Sequence, residues 1–267
     1  MAWWSSARSA GRRRRIGEGA VEATAWRSQD GEAWTRLDLP TEIATAGGVA
    51  VASGAIGFVI STASEVWYSA DVESWQLVHE AADGVAFRQP TAGDEGFVVS
   101  ALDTDADRSL VFASGDGLTW YEADAPGMPF SIAPFGGDWL TVAFTDDAST
   151  IAVFRSANGL DWSATADVND LTGPDGPKAG EGPKSEITEA LVSGEGRVAV
   201  LTLGWNHCCA RPSAGVQVHV STDGDTWQQP GLPETAYVTA TATDGEVVVI
   251  AGHVDRGERI AFWLAER

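Results

Sequence analysis

The residues best suited to chemistry in this sequence surround its only two cysteines. Cys208 and Cys209 are adjacent, and Trp205, His207 and Arg211 lie within three residues of them. Adjacent cysteines can form a strained vicinal disulfide that stiffens a loop, or they can stay as inert thiols. With His207 they could instead hold a soft metal ion, although structural zinc usually takes four ligands at wider spacing. We favour a disulfide or inert thiols and predict no metal here.

Acidic residues form a second group that could bind a hard cation. Asp103, Asp105 and Asp107 alternate with other residues, and Asp146 and Asp147 occupy the corresponding loop of the next repeat unit described below. Calcium takes roughly six to eight oxygen ligands from such loops, but the run lacks the glycine and glutamate of an EF-hand. We therefore favour solvated acidic loops over a calcium site and predict no cofactor.

The charge of the chain restricts its partners. The 267 residues include 17 Lys and Arg against 38 Asp and Glu, which gives a formal net charge of −21. Such a surface repels phosphate groups, so we exclude nucleic acid and anionic membranes as partners. No apolar stretch is long enough to span a bilayer. We expect a monomer.

The N-terminal segment MAWWSSARSAGRRRR is basic in an otherwise acidic chain. A signal peptide would carry an apolar stretch after its positive charges, and none follows here. We predict a disordered or mistranslated tail over residues 1–19 and a single folded domain over residues 20–267.

A segment that ends in tryptophan recurs along the chain. The strands of this repeat must position the cysteine cluster and the acidic residues. Its serines are separated by 41, 45, 42 and 65 residues, and a sixth segment, AFWLAE (261–266), stops before the turn. Repeats of this length are typical of propeller blades. The five copies, called boxes below, are AWRSQDGEAW (25–34), VWYSADVESW (66–75), VFASGDGLTW (111–120), VFRSANGLDW (153–162) and VHVSTDGDTW (218–227).

Each box reads as a β-hairpin. An alternating apolar strand precedes an Asp-Gly or Asn-Gly pair, which favours a tight turn. The Ser and Asp side chains can accept hydrogen bonds from the turn amides, and the closing Trp can pack on a neighbouring unit. The predicted structural residues are Ser28, Asp30 and Trp34; Ser69, Asp71 and Trp75; Ser114, Asp116 and Trp120; Ser156, Asn158 and Trp162; and Ser221, Asp223 and Trp227.

An aromatic column accompanies the boxes, two positions before each serine. We predict that these side chains belong to the core rather than to a ligand platform. The column consists of Trp26, Trp67, Phe112, Phe154 and His219, with Phe262 in the sixth segment.

Two further strands precede each box, for example IATAGGVAVA (43–52) and then GFVIS (57–61). Four short antiparallel strands in about 40 residues make a propeller blade. We therefore predict an all-β fold, a β-propeller of four-stranded antiparallel blades. This chain would hold about six, incomplete at the N-terminal end, and the natural protein six or seven.

The fifth box resembles a known repeat. Ser221-Thr222-Asp223-Gly224-Asp225-Thr226-Trp227 is similar to the Asp-box, or BNR, repeat of sialidase-like propellers, and Ser114 to Trp120 matches it as well. Other copies depart from the pattern at Val72, Asn158 and Asp161. The resemblance covers residues 20–266 and implies an extracellular or cell-surface protein. It also implies that the boxes lie on outer hairpins, away from the ligand face.

The two long insertions of the chain should lie on that ligand face. In a four-stranded blade, the loops between the second and third strands and the links between blades open opposite the box turns. The 65-residue step contains the insertions 170–186 and 204–215, which fall in one link and one such loop. Long loops on a rigid scaffold often carry binding residues. We predict a ligand-binding face that contains Trp205, His207, Arg211, Asp103, Asp105, Asp107, Asp146 and Asp147.

The family resemblance also raises a catalytic alternative. A sialidase needs three arginines, a tyrosine nucleophile activated by a glutamate, and an aspartic acid as general acid. Arg88, in Phe87-Arg88-Gln89-Pro90, and Tyr237 are the candidates here. We instead predict a non-catalytic binding or scaffold propeller that presents its loop face to a glycan or protein ligand. The alternatives are a sialidase-like exo-glycosidase and an inactive fragment of a longer propeller protein.

Overall fold

The computed structural model describes residues 23–28, 30–46, 48–145, 151–168, 186–195, 198–206, 215–229, 237–243, 247–254 and 259–266. Within these residues the chain forms six antiparallel sheets, which are numbered below as blades 1 to 6 in chain order. The predicted tail, residues 1–19, lies outside the described residues.

The strands follow the chain in simple meanders. Blade 1 has β1 (Ala25–Arg27) and β2 (Thr35–Leu37), and a short helix, α1 (Thr41–Ala44), follows it. Blade 2 has β3 (Ala50–Gly54), β4 (Gly57–Ser61), β5 (Glu65–Ser69) and β6 (Gln76–Glu80). Blade 3 has β7 (Val85–Gly93), β8 (Gly96–Asp103), β9 (Arg108–Ser114) and β10 (Tyr121–Asp124).

The remaining blades continue this order. Blade 4 has β11 (Met128–Phe135), β12 (Asp138–Phe144), β13 (Ile151–Ser156) and β14 (Ser163–Asp167). Blade 5 has β15 (Glu186–Glu195), β16 (Val198–Asn206) and β17 (Gly215–Ser221). Blade 6 has β18 (Tyr237–Thr243), β19 (Val247–Val254) and β20 (Arg259–Glu266).

The blades pack in sequence through their first strands. From blade 2 onwards, the first strand of each blade contacts the first strand of the next: β3 lies on β7, β7 on β11, β11 on β15, and β15 on β18. Sheets stacked in this way through their inner strands form a β-propeller. The predicted fold class is confirmed.

The hydrophobic core lies between the blades rather than within one of them. Val59 and Val66 of blade 2 share a buried cluster with Phe97 and Phe112 of blade 3. Further clusters join blade 3 to blade 4 through Trp139, and blade 4 to blade 5. Blades 2 to 5 therefore bury apolar faces against their neighbours, as repeat proteins do, and blade 2 also packs Ile60 and Trp67 against Ile43 of α1.

One predicted strand is partly wrong. The segment 43–52 begins as the end of α1, and β3 starts only at Ala50. Pro40 precedes the helix as its N-cap, with φ −49° and ψ 144°, and its missing N–H is tolerated at a helix start. Ile43 is fully buried. A buried apolar residue satisfies a helical and a strand pattern equally well, so the sequence did not distinguish them.

The aromatic column is buried in three blades. Phe154 of blade 4 is half-buried and lines a groove described below, and the side chain of Phe262 lies outside the described residues. Trp67, Phe112 and His219 are buried, as predicted for the core, whereas Trp26 is exposed. The prediction for Trp26 is therefore wrong. Among the described residues no sheet packs on the other side of blade 1, so the ring has nothing to cover it.

Candidate functional site

All five boxes close with the same hydrogen bonds. Each serine Oγ accepts from the amide of the turn residue three positions later, at 2.8–2.9 Å. Each Asp or Asn Oδ1 accepts from two further turn amides at 2.7–2.9 Å. The serine hydroxyl also donates to that Oδ1 at 3.1 Å. The Ser and Asp or Asn oxygens therefore have their hydrogen-bond partners inside the hairpin.

The same amides keep the box carboxylates charged. Hydrogen bonds from the amides of Thr226 and Asp225 lower the pKa of Asp223 to about 2. The pKa values of Asp30, Asp71 and Asp116 are lowered for the same reason, by the two amides that each side chain accepts. A carboxylate held in this way is an acceptor for its own turn rather than a proton donor at neutral pH.

The box turns also lie against the preceding blade. A Cβ atom built on Gly117 would lie 2.4 Å from the Tyr68 ring of blade 2, and one on Gly159 would lie 2.6 Å from Val98 Cγ2 of blade 3. These glycines have φ values of +76° and +75°. They therefore permit both the left-handed turn and the close packing of blades. In the second box Val72 takes this position with a φ of 65°.

The loops between second and third strands and the links between blades open on the face opposite the box turns, here called the loop face. The Asp103–Arg108 loop of blade 3 shows the best-defined geometry there. Asp103 Oδ1 accepts from the amides of Asp105 at 3.2 Å and Ala106 at 3.0 Å. Its Oδ2 accepts from Arg108 Nε at 3.3 Å. The Ala106 amide is the main cause of the lowered pKa of Asp103.

Asp105 and Asp107 do not join Asp103 in a cation site. Asp105 lies over Gly84 in the link before β7, and Thr104 donates from its amide and hydroxyl to the Gly84 carbonyl at 2.8 and 2.9 Å. Across the described residues, no group of three or more His, Cys, Asp or Glu side chains could hold a metal ion.

Arg108 is the centre of an ion-pair network on this face. Its Nη1 donates to Asp124 Oδ1 at 2.6 Å, and its Nη2 lies 3.9 Å from Glu122 Oε1. The hydrogen bonds to Asp103 and Asp124 raise the pKa of the guanidinium. Arg108 thus links the β8–β9 loop to the last strand of blade 3.

A groove of about 860 Å³ lies between blades 3 and 4 beside this network. It extends from the β8–β9 loop and the link before β11 to Trp162 at the end of the fourth box. Met128 in this link is half exposed. The groove combines charged residues at one end, Asp107, Arg108 and Asp124, with apolar side chains, Met128, Phe144 and Trp162.

A smaller cavity of about 330 Å³ lies on the box face between the same two blades. Asn158 is among its lining residues, but the side chain already accepts two turn amides and donates to Asp161 at 2.8 Å. This cavity therefore offers fewer available polar groups than the groove.

The structure brings only part of the predicted ligand face together. Asp107 lines the groove and Asp103 contacts Arg108, whereas Asp105 packs on Gly84. Trp205 lies near the end of β16, where its backbone pairs with Gly215. His207, Cys208, Cys209, Arg211, Asp146 and Asp147 lie outside the described residues.

The sequence reasoning missed several groove residues. The link 124–128 obeys the same topological rule that placed the insertions on the loop face. That rule, applied to short links as well as long ones, would have found Asp124 and Met128. Phe144 and Trp162 look like ordinary core residues in the sequence.

The two residues of the catalytic alternative lie on inner strands of different blades. Arg88 is exposed at a bulge in β7 of blade 3, and its carbonyl accepts from Ser61 Oγ at 2.6 Å. Tyr237 begins β18 of blade 6, where it pairs with His253. Blades 3 and 6 are not neighbours in the packing order.

The part of the chain that the structure describes contains no helix with the length and apolar character needed to cross a membrane. No protein-family model matches the sequence, and no curated protein matches it.

Solved structures match the fold at low sequence identity. A prolyl endopeptidase superposes with a TM-score of 0.56 and 13% identity over 92% of this chain and 39% of its own. Hydrazine synthase from Kuenenia stuttgartiensis gives a TM-score of 0.51 and 12% identity over 90% of this chain and 72% of its own. An α-L-arabinanase from Penicillium chrysogenum, in complex with arabinobiose, gives 0.46 and 12% over 79% of each chain.

The chain thus spans well under half of the prolyl endopeptidase chain. At such identities the similarity concerns the fold and not the activity. Structure and comparisons together show that this chain is a β-propeller.

Proposed function

We propose that this chain is a non-catalytic binding propeller whose loop face holds a glycan or protein ligand in the groove between blades 3 and 4. The groove itself carries the proposal, because it joins charged hydrogen-bonding groups to apolar walls in one concave surface. Binding sites commonly combine an apolar lining with a few placed polar groups. The box serines and carboxylates do not compete for this role, since their hydrogen bonds lie within the turns.

Both ligand classes fit the lining. An indole such as Trp162 can stack on a sugar ring beside the carboxylates of Asp107 and Asp124. A protein segment could bury an apolar side chain against Met128, a flexible residue that adapts well to partners, with its polar atoms at Arg108.

A binding screen tests this proposal and separates the two ligand classes. The probes are an immobilised array of neutral and sialylated oligosaccharides and a displayed library of random peptides. We expect one of the two sets to bind, and binding to fall at least tenfold in R108A and in M128D. The control Y121A removes a side chain that is 59% exposed at the start of β10, outside the groove, and should bind as the unmodified chain does. Equal binding by the groove variants would contradict the proposal.

The exo-glycosidase alternative has a direct test. Aryl-glycosides and sialosides are incubated with the chain and with R88A and Y237F. We expect no turnover above buffer. Turnover that is lost in Y237F would establish an enzyme instead.

We also propose that the boxes are Asp-box repeats and that the protein acts at the cell exterior. The repeated Ser and Asp hydrogen bonds support the first part, and the family resemblance supports the second. Protease treatment of intact host cells that express the natural gene checks the location. A protein that survives until the cells are lysed would contradict it.

A further inference from the structure

We infer that the groove between blades 3 and 4 binds a segment of a partner protein in which a Lys or Arg residue stands close to an apolar residue. The inference rests on the proposed function and selects one of the two ligand classes considered there. It is supported by the charges at one end of the groove, by the contacts of Arg108 and by the apolar wall that continues from them.

Carboxylates outnumber guanidinium groups at the charged end of the groove. Asp107 and Asp124 line it together with Arg108, and Asp103 and Glu122 contact the same guanidinium at 3.3 and 3.9 Å. These four carboxylates and one guanidinium carry a formal charge of −3. The Asp124 side chain is 75% exposed, so a ligand in the groove can reach it. A cationic group is the complement of this end.

The guanidinium of Arg108 is already engaged with the chain's own carboxylates. Its Nε donates to Asp103, its Nη1 donates to Asp124, and Glu122 lies beside its Nη2. An anionic ligand would have to compete with these three carboxylates for Arg108. Arg108 therefore holds the carboxylates in place for a ligand, and the weaker binding expected of R108A follows from the loss of that arrangement.

The rest of the groove has an apolar wall. Met128 is half exposed, and the half-buried rings of Phe144, Phe154 and Trp162 line the same surface. An apolar side chain gains free energy by leaving water for such a surface, and a flexible Met adapts to its shape. A cationic side chain can also lie over an aromatic ring. The groove thus suits a segment that offers a basic and an apolar side chain together.

A sugar uses less of this surface. The carboxylates repel a sialylated glycan, and a neutral glycan gains nothing from their charge. The groove volume of about 860 Å³ lies within the roughly 300–1,000 Å³ of small ligand sites, so it suits a few side chains of a short segment.

The whole molecule favours the same partner. Its net charge of −21 attracts a basic segment from a distance and speeds the encounter. Ion pairs at exposed positions add little to the stability of a complex. Charge therefore acts mainly on the association rate and the choice of partner, whereas the apolar contact prolongs the complex.

The random peptide library and the oligosaccharide array test the inference when both are screened against the intact chain. We expect peptides to be selected, with Lys or Arg enriched close to an apolar residue. A labelled copy of the best peptide is then measured by fluorescence anisotropy beside a counterpart with Gln in place of each basic residue. The counterpart should bind at least tenfold more weakly. Binding of the basic peptide should weaken at least threefold between about 0.05 and about 0.2 M NaCl.

A matched pair of variants separates the charge of the groove from that of the whole chain. D107N/D124N removes two carboxylate charges from the groove and should weaken the basic peptide at least tenfold. Asn tolerates the left-handed φ of 51° at Asp107. The control D94N/E95Q removes the same charge from the exposed β7–β8 turn and should bind as the unmodified chain does. Thermal unfolding verifies folding, and D107N alone decides if the double variant does not fold.

The possible failures are distinguishable. Selected peptides without an excess of basic residues, a Gln counterpart that binds equally well, or undiminished binding by D107N/D124N would overturn the inference. So would an oligosaccharide that binds in place of peptides and is lost in M128D. The proposed function survives these results if M128D still weakens binding. If no probe binds, or if M128D binds every probe as the unmodified chain does, the proposed function fails and the inference fails with it.

Discussion

Single hydrogen bonds distinguish boxes that look alike in sequence. In the second, third and fourth boxes the closing indole donates to the turn carbonyl at 3.1–3.2 Å. In the fifth box the Gly224 carbonyl instead accepts from Thr165 of the preceding blade at 3.1 Å. Trp227 Nε1 is then buried with no hydrogen-bond partner among the described residues. A buried unpaired donor destabilises the folded state.

For this reason we expect W227F and W120F to lower the free energy of unfolding by different amounts. Both substitutions shrink a partly buried ring, but only W120F leaves a turn carbonyl without its indole donor. W120F should therefore lower the free energy of unfolding by about 1 kcal/mol more than W227F does. Urea unfolding of the two variants measures the difference, and equal losses would contradict the assignment.

The fourth box contains a coupled exchange. Asn158 replaces the usual Asp and donates from Nδ2 to Asp161 Oδ2 at 2.8 Å, where the third box has a Thr119 hydroxyl donating to Asp116 at 3.2 Å. The two departures from the repeat pattern therefore compensate each other.

This coupling predicts a rescue. N158D places two carboxylates side by side and removes the amide donor, so we expect it to lose about 1 kcal/mol of stability at pH 7. The double variant N158D/D161T recreates the arrangement of the third box and should regain most of the loss. A double variant no more stable than N158D would show that the residues act independently. Thermal unfolding at constant salt is the measurement.

The box motif predicted the Ser and Asp hydrogen bonds within each turn, because these partners lie within three residues of each other. It could not predict the exception at Trp227. In that box the Gly224 carbonyl accepts from Thr165, which lies 59 residues away in the chain. Contacts within a repeat can be read from its sequence, whereas contacts with a neighbouring blade require the packed structure.

At the scale of strands and turns, the close packing of blades leaves little room for a side chain at the box glycines. Gly159 and Gly137 both have positive φ values, +75° and +88°. A Cβ on Gly159 would lie 2.6 Å from Val98, whereas one on Gly137 would find its nearest described neighbour at 3.8 Å. The pair therefore separates backbone strain from interblade packing.

We expect G137A to cost about 1 kcal/mol, the usual penalty for a left-handed alanine. G159A should cost about 2 kcal/mol more, because the methyl group overpacks the contact with blade 3. Chemical unfolding measures both. Similar costs for the two variants would mean that the fourth box turn does not rest on blade 3.

His219 makes strand β17 sensitive to acid. It occupies the place of Phe112 in the aromatic column, and burial lowers its pKa to about 4 from the ordinary 6.5. As the pH falls, His219 is therefore protonated near pH 6.5 in the unfolded chain but only near pH 4 in the folded chain. Stability is complete above pH 6.5 and falls as the pH drops towards 4, by up to about 3 kcal/mol.

The variant H219F should flatten this part of the pH profile. We expect its free energy of unfolding to change less than that of the unmodified chain between pH 6.5 and 4. Below about pH 4 both should weaken as the box carboxylates protonate, since the pKa of Asp223 lies near 2 when folded. Parallel profiles for the two proteins above pH 4 would contradict the role of His219.

Elements with a strong local signal were predictable and the groove was not. The second strands, such as Gly57–Ser61, combine a glycine turn with a run of apolar residues, so their extent followed from the sequence. The groove exists because the link Asp124–Met128 passes beside the end of β12, near Phe144. The relative placement of two blades, which the repeat pattern does not contain, determines its shape and depth.

For the whole molecule, the excess of negative charge opposes folding. The net charge is −21, and the exposed ion pairs formed by Arg27 and Arg108 offset only a few carboxylates. Repulsion between like charges in a compact state weakens as salt screens it. Exposed ion pairs weaken as well, but each contributes little.

We expect the melting temperature to rise by roughly 2–5 °C when NaCl increases from about 0.01 to about 0.2 M, which corresponds to about 1 kcal/mol of relieved repulsion. Scanning calorimetry at pH 7 measures the change, and sucrose of equal osmolality serves as the uncharged control. A melting temperature that falls with salt would indicate that attractive ion pairs outweigh the repulsion.

The box turns of blades 3, 4 and 5 lie against the blade before them, and this has a consequence for how such a chain can grow or shrink. Each of these contacts joins two successive blades. A chain segment that includes both partners of one contact must therefore be longer than one blade. A gene duplication that inserts one blade adds one box turn, which can pack on the blade before it. The inserted blade also adds one surface on which the next box turn can pack. Units can therefore be gained or lost one at a time while the loops on the opposite side diverge freely.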